Sequence, residues 1–175
     1  QHYWQLNPGV KKEPLLPIYG HTLDMVNFKR LNWPNSTQAM PYETNQPLDL
    51  GPVRITFLPV QHPVDAFAMR IVEKNSGKNF VFTADTRYFS ELVKFVQDTD
   101  LMISDTNFLS EPKGSKWHLT VPETGKIVNE AHVKRLLMSH LPQNVAASEL
   151  EKKAREVIKD DITVQCAQTN LSIIL

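Results

Sequence analysis

The sequence contains a single cysteine, Cys166, among 175 residues. An intrachain disulfide is therefore excluded, and a reducing compartment fits. Neither sign of charge is in excess: Lys+Arg and Asp+Glu both number 19, so no net field draws the chain toward nucleic acid or a membrane surface. No apolar run approaches the roughly 20 residues that a membrane span needs, and no basic-then-apolar leader opens the sequence. The expected location is the cytoplasm, with no membrane partner. Internal repeats and low-complexity segments are absent too. What is present is 41% hydrophobic and 22% charged, a composition that fits a globular protein. At this length a single domain over 1–175 is expected, removing roughly two thirds of its unfolded surface from water.

The opening "QHYWQLNPG" reads as the tail of a helix closed by Asn7, Pro8 and Gly9, and the lack of a starting Met points to something upstream. "EPLLPIYG" is then a short buried strand and "TLDMVNFKRLN" a brief helix stopped by Pro34. Residues 34–52 form a loop with one edge strand and a turn at 48–51. A β-meander follows, with strands at 53–60, 66–73 and 79–84 that are rich in β-branched and aromatic residues. The turn "NSGK" at 75–78 makes a tight hairpin, with Gly77 free to take positive φ.

From Asp85 the period changes. Phe89, Leu92, Val93 and Val96 make a helical stripe, and "DLMIS" at 100–104 is a continuous apolar strand. Thr120 with Glu123 forms a capping box that opens a helix to about Ala131, with Pro122 in its first turn. "VKRLLMS" at 133–139 is another buried strand. Ser148 with Glu151 predicts a second capped helix, with Glu149 and Lys153 as an i,i+4 pair on its solvated face. "ITVQCA" and "LSIIL" predict two final strands. The C-terminal half thus alternates strand and helix, giving an α/β fold with a mixed sheet and helices packed on one face.

Within "LPVQHPVDAFAMRI" a strand ends on a histidine where an apolar residue would be cheaper. Three residues share that position type: His62 after "TFLPVQ", Asp85 after "NFVFTA" and His140 after "KRLLMS". Ligand sites collect at strand ends, because loops there vary while the sheet holds position. Two imidazoles and a carboxylate suit zinc or a similar borderline metal. A lone histidine at a strand end is more often a hydrogen-bonded structural residue, and Asp before Thr is common in turns. Three at equivalent positions favour the metal.

The ordered set "LPVQHPVDAFAMRI", "FVFTADT", "DLMISDTNF", "WHLT" and "LLMSHLPQN" resembles the C-terminal half of the metallo-β-lactamase fold, in the branch near RNase Z. The resemblance covers essentially the whole chain and implies half of an αββα sandwich. It implies that His62, Asp85 and His140 are metal ligands, with Asp85 bridging two divalent ions, usually zinc. It places His118 and Asp105 where that branch carries a histidine and a carboxylate that together handle the leaving-group proton. An imidazole held by a carboxylate makes a sensible general acid. Asp is one methylene shorter than the family's Glu. His2, His21 and His132 read as structural or surface residues, and Cys166 as core.

A two-metal site needs about five or more protein ligands, given three or so per ion. The family supplies the remainder from a His-x-His-x-Asp-His motif, which these 175 residues lack. The expectation is a chain without its N-terminal half-sandwich. Alone it would bind metal weakly, catalyse poorly and expose an apolar sheet face to which that half, or a second copy in a homodimer, could bind. The interval between His62 and Asp85 leaves no room for the tRNA-gripping arm of RNase Z, so tRNA is not the expected substrate. Phosphodiester hydrolysis of a smaller molecule is the first expectation. Lactone or ester hydrolysis by the same kind of site and a non-catalytic binding or assembly module are the alternatives.

Overall fold

The computed structural model describes residues 15–175, so the helix tail expected at 1–9 lies outside the described residues. The chain divides between Leu48 and Asp49 into two compact units. In the first, β1 (Leu16–Gly20) pairs in parallel with β2 (Thr37–Pro41), Leu16 lying opposite Thr37. They are joined by the single-turn helix α1 (Met25–Lys29). Asp24 caps that helix, its carboxylate accepting from Asn27 N at 3.0 Å. β1 alternates between half-buried and exposed residues rather than being buried throughout, as befits a strand with one solvated face.

The second unit is organised by a seven-stranded sheet whose strands lie side by side in chain order. They are β3 (Leu48–Leu50), β4 (Val53–Pro59), β5 (Phe67–Glu73), β6 (Asn79–Phe82), β7 (Leu101–Asp105), β8 (Arg135–Ser139) and β9 (Thr163–Cys166). Tight connections make β4, β5 and β6 antiparallel. The β5–β6 turn is closed by Glu73, whose carboxylate accepts from Asn75 N and Ser76 N, and Gly77 takes φ +72°, a conformation cheap only for glycine. From β6 onward the neighbours are parallel. Each crossover carries a helix: α2 (Ser90–Phe95), α3 (Val121–Glu130) and α4 (Ala147–Arg155).

One face of the sheet presents Val81, Met102, Leu136, Met138 and Val164. Against them pack Leu92 and Val96, Ile127 and Val128, and Leu150 and Ala154. Each such side chain contributes about 1.5–3 kcal/mol on full burial, and this core fixes where the strands end. The opposite face is also apolar, with Phe80, Leu101, Ile103 and Leu137 lining a cavity of about 330 Å³.

Further expectations are corrected. Residues 34–52 hold two strands rather than one, since Leu48–Leu50, expected within a turn, form β3. Residues 171–175 form no strand. The chain turns at Asn170, φ +64°, and Leu171, Ile173 and Leu175 line that cavity instead. Ser148 and Glu151 form no capping box: α4 starts after Ala146 without a side-chain cap, and Glu151 accepts from Cys166 N at 2.7 Å. Lys153 pairs with Glu156 at 2.7 Å rather than with Glu149. Cys166 is buried as expected, and desolvation pushes its thiol up to about 11. Among the described residues no helix is long and apolar enough to cross a membrane.

Candidate metal centre

The parallel strands β6, β7 and β8 end at one edge of the sheet, and the chain leaves β6 and β8 sharply. After β6, Ala84 takes φ +54°; after β8, His140 takes φ +50°. Left-handed backbone at non-glycine residues costs energy and persists where surroundings over-determine it. Those surroundings are visible. Thr83 N donates to Ile103 O at 3.0 Å, Asp105 N to Thr83 Oγ1 at 2.9 Å, and Thr106 N to Ser139 O at 2.9 Å. Beneath them the hydroxyls of Ser104, Thr106 and Thr124 are buried and hydrogen-bonded to one another.

The loop after β7 returns to α3 through the capping box. Thr120 Oγ1 accepts from Glu123 N at 3.2 Å, while Glu123 accepts from Thr120 N at 3.0 Å. Val121 N donates to Phe108 O at 2.8 Å, which fixes the loop that carries His118. The end of β4 is tied in as well, Gln61 N donating to Thr86 Oγ1 at 3.2 Å and Arg87 N to Gln61 O at 3.2 Å.

At this edge Asp85, Asp105, His118 and His140 each offer one ligand atom, and the four atoms lie within 4.8 Å of one another. Asp105 is the centre of the group and is 2% exposed. Its Oδ2 accepts from Thr86 N at 3.0 Å and lies 2.8 Å from His118 Nδ1. Its Oδ1 lies 3.1 Å from His140 Nδ1. Asp85 approaches that same His140 nitrogen at 3.4 Å, and the His118 and His140 rings stand nearly perpendicular, 4.7 Å apart. Burial pushes the Asp105 carboxyl above the usual carboxylate range, while the Thr86 N–H and the two imidazoles pull it back down.

The compact group differs from the expected ligand set. Asp85 and His140 stand in it, joined by Asp105 and His118 rather than by His62. His62 flanks the group, its ring centroid 5.8 Å from that of His118. Its Nδ1 is buried without a hydrogen-bond partner among the described residues, the condition of an imidazole nitrogen suited to a cation. Imidazole nitrogen and carboxylate oxygen are the donors that zinc and its neighbours accept. A carboxylate against histidine Nδ1 leaves Nε2 for an ion and fixes its orientation, which is where Asp105 sits toward both His118 and His140. These residues fit a divalent metal. His132 is exposed, and His21 pairs edge-to-face with Tyr42 in the first unit.

Residues that the sequence reading passed over also shape the site. Thr86 supplies the amide that holds Asp105, and Asn107 Nδ2 donates to His140 O at 2.8 Å. Both directly follow a motif aspartate or its Thr, in "ADT" and "SDTN".

Residues 14–141 match the model of the β-lactamase superfamily domain. The chain is 38% identical over 155 residues to the probable metallo-hydrolase YhfI of Bacillus subtilis, covering 88% of this chain and 63% of that protein. The crystal structure of YhfI, a metallo-β-lactamase-fold protein, superposes with a TM-score of 0.80 at 36% identity, over 88% of this chain and 62% of that one. A ribonuclease Z of Archaeoglobus fulgidus is 29% identical over 102 residues, 55% of this chain and 33% of that protein. The chain thus spans less than two thirds of the length of these relatives.

Proposed function

Because the chain belongs to the β-lactamase superfamily, with the metallo-β-lactamase fold, we propose that it carries part of the active centre of a metal-dependent hydrolase that cleaves phosphodiesters. The observation that carries this reading is the convergence of Asp85, Asp105, His118 and His140 at the ends of neighbouring strands and the loop beside them. His62, Asp85 and His140 are the metal-holding residues, and zinc is the preferred ion. A divalent ion bound there supplies water activation and polarisation of the scissile group.

The chain's own residues account for the proton. His118, with Nδ1 against Asp105, is oriented to offer the proton on its other nitrogen to a leaving oxygen. Asp105 supports the imidazolium form and fixes the tautomer. Thr86 N–H stabilises the Asp105 carboxylate against its burial, and Asn107 anchors the backbone of His140.

The interval between His62 and Asp85 consists of β5, its turn and β6, which supports a small phosphodiester over a tRNA. The test is turnover of bis-p-nitrophenyl phosphate, set against a panel of lactones, by metal-loaded protein that also carries the segment with the His-x-His-x-Asp-His ligands. Cleavage of the phosphodiester with little lactone turnover is expected. Lactone turnover alone would move the substrate class, and no turnover of either would favour a binding module.

A further inference from the structure

Arg87 lies two residues beyond Asp85, and Trp117 is the immediate neighbour of His118. The structure brings their side chains together, with the Arg87 guanidinium carbon 5.5 Å from the centre of the Trp117 ring. Arg87 Nε donates to Gln61 Oε1 at 2.8 Å, and Gln61 precedes His62. The guanidinium is thus held by residues adjacent in sequence to two members of the site, His62 and His118. Its two terminal nitrogens make no hydrogen bond among the described residues.

This arrangement suits an anion fork. A guanidinium stacked on an aromatic face keeps its plane, and the outward N–H groups match a pair of phosphoryl or carboxylate oxygens. Stacking on Trp also lowers the entropy lost on binding, because the long side chain is already ordered. The neighbouring cation cannot do the same. Lys116 is only 11% exposed and is engaged by both Glu111 and Glu123. Asp85 and the buried Asp105 present negative charge at the centre itself, so an anionic substrate needs a compensating cation at the rim.

We propose that Arg87, held over Trp117 and by Gln61, is the residue that recognises the anionic oxygens of the substrate, and so favours a phosphodiester over a neutral ester. The inference rests on the phosphodiester reading above, but it is tested separately. Phenylphosphonate carries the anion and has no ester to cleave, so its binding to zinc-loaded protein can be read by calorimetry without turnover. Wild type binds it, and Arg87→Gln weakens binding ~10-fold, the weight of one charge-assisted contact. Arg87→Lys recovers part of the loss, because the charge returns without the fork. Zinc stoichiometry and melting temperature stay as in wild type.

Wild-type affinity in Arg87→Gln, or no binding by wild type, overturns the proposal. A loss of phosphonate binding that accompanies a loss of zinc also overturns it, since Arg87 would then be holding the site together. Trp117→Leu provides a second variant at a position 42% exposed, where folding is not at stake. It is expected to weaken phosphonate ~3-fold by freeing the guanidinium, and unchanged affinity there would count against the stacked fork. Bis-p-nitrophenyl phosphate turnover by wild type reads the parent function independently of these outcomes.

Discussion

Asp105 divides its two carboxylate oxygens between two histidines, Oδ2 at 2.8 Å from His118 Nδ1 and Oδ1 at 3.1 Å from His140 Nδ1. One buried carboxylate therefore orients both the proposed proton donor and a proposed metal ligand. Asp105→Asn keeps the shape and removes the charge that supports both. Zinc affinity is expected to fall about 10–100-fold, as when a carboxylate behind a ligand histidine is lost. Turnover falls further, by roughly 10²–10³, because the His118 proton is no longer supported. Zinc titration together with steady-state kinetics checks both halves, and wild-type values in either would remove Asp105 from that role.

His62 and His140 test the metal assignment from opposite sides. His140 stands inside the four-residue group with its side chain 44% exposed, so its removal costs little packing. His62 stands outside the group but has a buried nitrogen without a partner among the described residues. His62→Ala and His140→Ala are each expected to abolish turnover while leaving the circular dichroism spectrum and melting temperature nearly unchanged. Elemental analysis of bound metal reads the cause directly. Full metal content in His62→Ala would show that this residue is no ligand.

Much of this arrangement is legible in the sequence because it depends on local pattern. The β4–β5–β6 meander follows from alternating β-branched residues and the Gly77 turn, and the strand-end positions of Asp85 and His140 follow from where apolar runs stop. Long-range pairing is less legible. Nothing near Glu151 announces that its carboxylate accepts from Cys166 N, and "LSIIL" has the composition of a strand although the turn at Asn170 sends it across the sheet face. The placement of Asp105 between two histidines likewise depends on the pairing of β7 with β8, which motif spacing does not encode. Arg87 and Trp117 are separated by 30 residues and by α2, β7 and their loops, so only the folded chain joins them.

The two expected capping boxes offer a direct measurement of that difference. Thr120 and Glu123 bond reciprocally at the start of α3, whereas Ser148 lies inside α4 and caps nothing. Thr120→Ala should cost about 1 kcal/mol of unfolding free energy. Ser148→Ala should change it by less than about 0.5 kcal/mol, as expected of a surface site. Urea unfolding of the two variants in parallel reads the contrast, and equal losses would mean that α4 is capped after all.

Stability in acid should depend on Asp100. Its side chain is 10% exposed, and its carboxylate accepts from Lys134 Nζ at 2.7 Å and Asn79 N at 3.0 Å and ties β6, β7 and β8 together at the edge opposite the site. The Lys134 hydrogen bond, ahead of the Asn79 amide, holds its pKa below the ordinary 3.8. A depressed folded value means stability that is fully present above the unfolded pKa and lost as pH falls through the folded one. Asp49, held at about 2 by Arg54 and Lys74, adds to the same acid limb, but its exposed pair is screened by salt. Asp100→Asn should therefore lose about 1–2 kcal/mol at pH 7 and show a shallower decline between pH 5 and roughly pH 2. Urea midpoints across that range, at high salt to silence Asp49, would show it. A variant that declines as steeply as wild type would place the acid sensitivity elsewhere in the chain.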